Sequence, residues 1–327
     1  MSQRLALALD RLGSDLQPEA AILGPLGITV EYASPEPDRR CRQLGQAEAV
    51  LLNRTIVDAG FFDAAPRCRV IVTYGVGHDH IDLHEAERRG VIVANVPDYC
   101  TEEVADHTLA LLLAVARGIG RGDALLRGGG WGVDGIGPLH RLRGRVLGLV
   151  GYGRIARAVA TRAQAFGLTV LAYDPALSQT SLNGGSVRLL DSLRALLTES
   201  DAVSLHLPLS PQTRGLISGP ALFQMKPGAI LINTSRGALV DLPALLKALD
   251  DGQLAGAGLD VFPDEPPDLE SISRPNLVVT PHIGYYSVES LQELKESAAR
   301  AVADALTGAP VANQLTATAS VEKELVS

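Results

Sequence analysis

The sequence is poor in the residues that mark several protein classes. Its three cysteines, Cys41, Cys68 and Cys100, are odd in number, widely spaced and form no Cys-x-x-Cys pair. That pattern argues against both a disulfide framework and a cysteine zinc site. Positive charge is short as well: 29 Lys and Arg against 37 Asp and Glu leave a formal charge of −8. Phosphate contacts need clustered cations, so a general nucleic-acid binder is disfavoured. No long apolar run exists; the longest, Leu109 to Ala116, falls far below the roughly 18–20 residues that cross a bilayer. The segment Met1–Asp10 carries Arg4 and is cut by Asp10, too short and too charged for a secretory leader. What is present is a 327-residue chain with 46% hydrophobic and 20% charged residues, enough for about two ordinary domains with sizeable cores. A cytoplasmic enzyme or binding protein is the expectation, with neither nucleic acid nor membrane as partner.

Short apolar runs alternate with helical patterns, as in parallel α/β sheets. In the first hundred residues the runs Ile28–Tyr32, Ala49–Leu52, Val70–Thr73 and Val91–Ala94 read as strands, with a helix such as Ile81–Arg89 between them. Thr101–Arg117 reads as a longer helix, with acidic residues in its first turn and Arg117 at its end, both suited to the helix dipole. The glycine-rich stretch Gly118–Gly137 is expected to stop that helix and form an irregular loop or arm. A second series follows, with strands at Val146–Val150, Thr169–Tyr173, Ala202–Leu205, Ala229–Ile232, Gly256–Leu259 and Leu277–Thr280. Helices are expected at Ile155–Phe166 and Leu242–Leu249, a last long one at Val288–Leu306, and a frayed polar tail from Thr316. Six strands so spaced fit a dinucleotide-binding architecture.

The strand Val146–Val150 runs into Gly151-Tyr152-Gly153-Arg154-Ile155-Ala156, a G-x-G-x-x-A turn that opens a helix. Gly151 permits the tight turn, Gly153 admits a pyrophosphate, and the small Ala156 lets helix and strand pack closely. The helix start offers N–H groups to phosphate. A second strand ends at Tyr173-Asp174, 23 positions after Gly151, where a carboxylate accepts from an adenosine ribose and repels a 2′-phosphate. NAD is therefore expected in preference to NADP. A plain glycine turn, with Asp174 capping a bend before Pro175, is the alternative.

Three ionisable residues lie in turns after strands of the second series: Arg236 in Asn233-Thr234-Ser235-Arg236-Gly237, Glu265 in Asp260–Pro266, and His282 in Thr280-Pro281-His282-Ile283-Gly284. Ligands of open parallel sheets bind beyond the carboxyl ends of strands, so the three can converge. Arg236 can fork two N–H groups onto a carboxylate, and His282 can pass a proton. A nicotinamide would supply the hydride that no side chain can. Spacing alone leaves other readings open: Arg236 as a surface ion pair, Glu265 as a solvated loop acid, His282 as a satisfied core histidine.

Together these motifs, with His206-Leu207-Pro208-Leu209, resemble the D-isomer-specific 2-hydroxyacid dehydrogenase family over about Ala49 to Asn313. The resemblance implies two doubly wound parallel-sheet α/β domains with a cleft between them. Residues 1–99 and 290–327 would form a flavodoxin-like substrate domain, and residues 100–289 an inserted Rossmann NAD-binding domain. It makes Arg236 the substrate-orienting residue, His282 the acid/base and Glu265 its partner. Gly151, Tyr152, Gly153, Arg154, Ile155, Ala156, Asp174 and Pro175 would hold NAD, with Leu207, Pro208, Thr213, Thr234, Ser235, Asp260 and Thr108 lining its site. Val76 and Gly77 resemble a loop whose amides receive the substrate carboxylate. Arg54 resembles a position that reaches an anionic tail, and Tyr285 stands beside the substrate. Asp82, Thr101–Thr108 and Tyr285-Tyr286-Ser287 look closest to the C-terminal binding protein-like branch, in which enzymes and NAD-bound corepressors both occur. Thr73 and Tyr285 stand where the corepressors carry arginine and tryptophan.

The expected activity is hydride transfer between NAD(H) and a 2-keto acid/D-2-hydroxy acid pair, by a homodimer. Two alternatives accompany it: a NAD-sensing interaction protein with vestigial activity, and a dehydrogenase for a phosphorylated or phosphonate hydroxy acid. His78-Asp79-His80, with His84, lacks a completing ligand and is set aside as a metal site. Trp131, the only tryptophan, is expected to anchor against another surface, and Cys100 to be a small buried thiol.

Overall fold

The structure is a computed structural model that describes residues 4–13, 15–178 and 186–317. The frayed tail expected from Thr316 lies, beyond Ala317, outside the described residues. Thr316 itself is buried, and its hydroxyl accepts from the Val93 N–H at 3.1 Å. The chain divides into two compact units, one running to Cys100 and resuming at Tyr286, the other spanning Thr101–Tyr285.

The first unit holds strands β1 (Arg4–Ala8), β2 (Ile28–Tyr32), β3 (Ala49–Leu52), β4 (Val70–Thr73) and β5 (Ile92–Ala94). They pair in parallel in the order β2-β1-β3-β4-β5, the flavodoxin-like sequence of strands. Every residue of β3 and β4 is buried. Strands covered on both faces read as unbroken apolar runs rather than as alternation, and both are visible in the sequence for that reason. β1 was not expected: its Arg-Leu-Ala-Leu-Ala lacks β-branched residues. The helix Val288–Thr307 packs back onto this unit; it starts with a capping box between Ser287 and Ser290 and stops at Gly308 in the left-handed region.

The second unit carries β6 (Val146–Val150), β7 (Thr169–Tyr173), β8 (Arg188–Leu189), β9 (Ala202–Leu205), β10 (Ala229–Asn233), β11 (Leu254–Leu259) and β12 (Leu277–Val279). All are parallel, in the order β12-β11-β10-β9-β6-β7-β8. Two cores cover the sheet: β10 sends Leu231 into one and Ile232 into the other. Each fully buried leucine contributes about 1.5–3 kcal/mol. The helix Thr101–Ala116 supplies Leu109, Leu111 and Leu112 to the second core.

One expectation is overturned between Gly118 and Gly137. Gly118 turns the chain in the left-handed region, and Ile119–Arg127 then forms a further helix. Irregular backbone follows only after it. Gly120 and Gly122 weaken the helical signal without abolishing the helix. Trp131, beyond it, is 87% exposed within the chain.

Candidate active site

Strand order reverses where β9 meets β6, and the G-x-G-x-x-A turn lies at that point. Gly151 follows β6 at φ +88°, and its N–H donates to the Tyr173 carbonyl at 2.8 Å. A side chain there would lie 2.5 Å from the His206 carbonyl oxygen, just beyond β9, so the protein's own packing demands this glycine. Gly153 is different. A methyl added to it meets nothing within 4 Å, leaving open space at the start of the helix Arg154–Ala165. Ala156 is fully buried against the sheet. Open room beside Gly153 and a helix N-terminus fit a pyrophosphate.

Asp174 closes the turn. Its Oδ2 accepts from the Tyr152 N–H and its Oδ1 from the Ala176 N–H, each at 2.9 Å. The half-buried carboxylate is held where a ribose diol would share it, beside the exposed Pro175. Tyr152 itself is buried under Arg157, whose guanidinium lies 5.2 Å from the ring centre. Thr213 folds the turn after β9, accepting from Ser210 N–H and donating to the Pro208 carbonyl, both at 2.8 Å; Leu207 packs on the core beneath. Thr108 and Thr234 share a hydrogen bond of 2.9 Å. The residues present therefore fit a dinucleotide.

The neighbouring strands β10, β11 and β12 deliver the ionisable set at their carboxyl ends. Asn233 is fully buried at the end of β10. Its amide donates to the Arg236 carbonyl at 2.9 Å and accepts from the Ser235 N–H at 3.0 Å, while Ser235 Oγ donates to Leu205. The turn that carries Arg236 is thus rigid. Gly237 presses it onto the next loop: a side chain there would sit 1.9 Å from the Phe262 carbonyl carbon. Phe262 donates its N–H to Glu265 Oε1 at 3.1 Å, and Glu265 Oε2 lies 2.8 Å from His282 Nδ1. Glu265 and His282 are brought together directly, and the Arg236 turn is joined to them through the Gly237–Phe262 contact. The ring of Tyr285 stands edge-on to His282, 6.2 Å between centres.

His282 sits at φ +56°, a conformation that L-residues other than glycine rarely adopt. Asp260 holds it there. Its oxygens accept from Thr280 Oγ1 at 2.6 Å, Ile283 N–H at 2.9 Å and Gly284 N–H at 2.8 Å. His107 Nε2 lies 2.8 Å from Thr280 Oγ1 and 3.4 Å from Asp260. Burial pushes the Asp260 carboxyl up, but these four groups outweigh it and leave it below the ordinary carboxylate value. Expected as a lining residue, Asp260 is seen to turn its carboxylate onto the His282 loop. Its partners His107 and Thr280 were missed, and so was His206. Burial pushes that imidazole down to about 4, with Nε2 2.9 Å from Ser204 Oγ. Buried polar residues at the ends of apolar strands, Asn233 above all, were the available signal.

In the first unit the loops at the carboxyl ends of β3 and β4 carry the remaining residues. Asp10 Oδ2 accepts from the Asn53 and Arg54 N–H groups at 2.5 and 3.0 Å, fixing the turn that exposes Arg54. After Tyr74, the carbonyls of Gly75 and Val76 are pinned by Val96 N–H at 3.0 Å and Asn95 Nδ2 at 2.7 Å. The N–H groups of Val76 and Gly77 meet no acceptor among the described residues. Pinned carbonyls beside amides with no internal acceptor are the arrangement that an anion can use.

Similarity to known proteins gives the family. Residues 109–284 match the model of the D-isomer specific 2-hydroxyacid dehydrogenase, NAD binding domain. The chain belongs to the D-isomer specific 2-hydroxyacid dehydrogenase family. It is 43% identical over 251 residues to the glyoxylate reductase of Thermococcus litoralis, covering 75% of this chain and 76% of that protein. The solved structure of the TT0316 protein from Thermus thermophilus is 39% identical with a TM-score of 0.85, covering 95% of this chain and 100% of that one. D-lactate dehydrogenase from Aquifex aeolicus, complexed with NAD and lactic acid, is 29% identical with a TM-score of 0.84, covering 97% and 100%. The family's reaction is hydride transfer between a 2-hydroxy acid and its keto acid, and this chain carries the family's NAD-binding domain. Among the described residues, no helix is long and apolar enough to cross a membrane.

Proposed function

We propose that the chain reduces a small 2-keto acid to the D-2-hydroxy acid, glyoxylate being the first substrate to test, with Arg236, Glu265 and His282 as the working set. The observation that carries this reading is the 2.8 Å contact between Glu265 Oε2 and His282 Nδ1. With Nδ1 held by the carboxylate, Nε2 is the ring nitrogen assigned to exchange a proton with the oxygen on substrate C2. The Arg236 guanidinium, on its rigid turn, orients the keto acid. Bound NADH would supply the hydride to C2; the proton from His282 completes the alcohol.

Gly151–Ala156 and Asp174 would hold the dinucleotide, and the Asp174 carboxylate favours NAD over NADP by repelling a 2′-phosphate. The unit ending at Cys100 serves as the substrate domain, where the Val76 and Gly77 amides take the substrate carboxylate and Arg54 any further anionic group. Homodimeric assembly in the cytoplasm is part of the same proposal. The exposed Trp131 supplies surface for the dimer, whereas the helix Thr101–Ala116 spends its apolar face on the chain's own core; three cysteines that form no disulfide suit a reducing compartment.

The test is NADH consumption with glyoxylate, hydroxypyruvate, pyruvate and a phosphorylated keto acid, repeated with NADPH. The proposal expects turnover with a small keto acid and preference for NADH. Absence of turnover with every 2-keto acid would remove it.

A further inference from the structure

Glu19 is fully buried although it is a carboxylate on the first turn of a helix, Gln17–Leu23. Its Oε1 accepts a 2.6 Å hydrogen bond from the Tyr74 hydroxyl, while Oε2 has no partner among the described residues. An acid half-satisfied in an apolar interior costs stability, and a Leu or Met in its place would fill the same volume at no such cost. Its partner gives the acid a use. Tyr74 is itself buried, and its backbone is the last rung of the sheet, with its N–H donating to the Leu52 carbonyl at 2.6 Å. The next residue, Gly75, takes φ +154°, and the amides of Val76 and Gly77 follow at once.

The main chain of this loop is fixed by Val96 and Asn95, and at its entry by the Tyr74 N–H on Leu52 and the Gly75 N–H on the Thr73 carbonyl at 2.9 Å; none of these bonds holds the Tyr74 side chain. The Tyr74 side chain anchors that entry in the buried interior, where Glu19 accepts its hydroxyl. Burial first, and then the Glu19 carboxylate, push the Tyr74 hydroxyl far above its ordinary value, so it stays a donor. The acid is itself seated: the Asp15 carbonyl, at the approach to the Glu19 helix, accepts from both Tyr32 OH at 3.0 Å and buried Lys295 Nζ at 2.5 Å.

We infer that the Glu19–Tyr74 pair is a positioning device that holds the Val76 and Gly77 amides in the orientation that receives the substrate carboxylate. The inference rests on the reading of that loop as the carboxylate site. Glu19 and Tyr74 touch neither substrate nor cofactor; they act through backbone, so their loss should appear in keto-acid binding and not in chemistry or in NADH binding.

The experiment uses the full chain with NADH bound, 15N-labelled and titrated with oxamate, a carboxylate that mimics a 2-keto acid. Glyoxylate kinetics are measured in parallel. In Tyr74→Phe and Glu19→Leu, the oxamate Kd and the glyoxylate KM are expected to rise about tenfold, the scale of one hydrogen bond. The kcat is expected to stay within about threefold and the NADH KM unchanged. Glu19→Gln keeps an acceptor for the phenol and should restore oxamate binding to near wild type. Tyr74→Phe removes a single oxygen and decides the matter should Glu19→Leu not fold. If oxamate leaves the Val76 and Gly77 amide signals unmoved in the wild type, the loop is not the carboxylate site and the inference falls with that reading. If it moves them with equal affinity in the wild type, Tyr74→Phe and Glu19→Leu, the loop reading stands and the positioning inference alone is overturned. Losses confined to kcat or to NADH binding overturn it as well.

Discussion

Glu265 Oε2 lies 2.8 Å from His282 Nδ1, and Glu265 Oε1 simultaneously accepts the Phe262 N–H at 3.1 Å. The carboxylate is thereby anchored to its own loop before it reaches the imidazole, and the imidazole takes its orientation from the carboxylate. Glu265→Gln should lower kcat about 10- to 100-fold with a smaller change in keto-acid KM. Steady-state kinetics check this; an unchanged kcat would show that the ring needs no such partner.

Gly153 and Gly237 are both glycines beside the candidate site, but they exist for different reasons. Space around Gly153 is open, so Gly153→Ala should fold with stability within about 0.5 kcal/mol of wild type while its NADH Kd rises about tenfold or more. A side chain on Gly237 strikes the Phe262 backbone at 1.9 Å, so Gly237→Ala should cost about 3 kcal/mol or more, at the upper end of overpacking changes. Denaturant melts and NADH fluorescence titrations separate the two.

Acid should unfold the second unit earlier than its ordinary carboxylates suggest. His206, near 6.5 when unfolded, is pushed down to about 4 in the fold. The unfolded chain therefore binds the proton first. Stability is fully present above about 6.5 and falls as pH drops toward 4, by about 3 kcal/mol at most. Asp260, whose carboxyl is lowered, adds a loss in the same direction as pH falls through its native value. Urea melts at pH 7 and pH 5 measure the window, and His206→Asn should flatten its upper part.

Asp260→Ala should release the loop that carries His282. It strands the N–H groups of Ile283 and Gly284 without an acceptor, at about 1–3 kcal/mol each, and frees Thr280 and His107. A fall in both melting temperature and kcat is expected. Full activity in a destabilised variant would confine Asp260 to a structural role.

How much was legible beforehand follows from chain distance and composition. Apolar runs such as Val70–Thr73 and the G-x-G-x-x-A turn with Asp174 are local, and local pattern reveals them. β1 lacks β-branched residues, β8 has two residues, and the helix Ile119–Arg127 is diluted by Gly120 and Gly122; none leaves a clear periodic trace. The hydrogen bond of His107 with Thr280 joins residues 173 positions apart, and only the fold brings them together. The same holds for Glu19 and Tyr74. Arg236, Glu265 and His282 stood out as ionisable residues in turns after strands, but only family resemblance separated them from the surface residues that such turns commonly carry.

The most direct test of the account is His282→Ala, assayed by NADH oxidation with glyoxylate alongside NADH binding by fluorescence. The account predicts unchanged NADH binding and a fall in kcat of at least about 10²-fold. Turnover at the wild-type rate would contradict it, because the proton would then come from elsewhere.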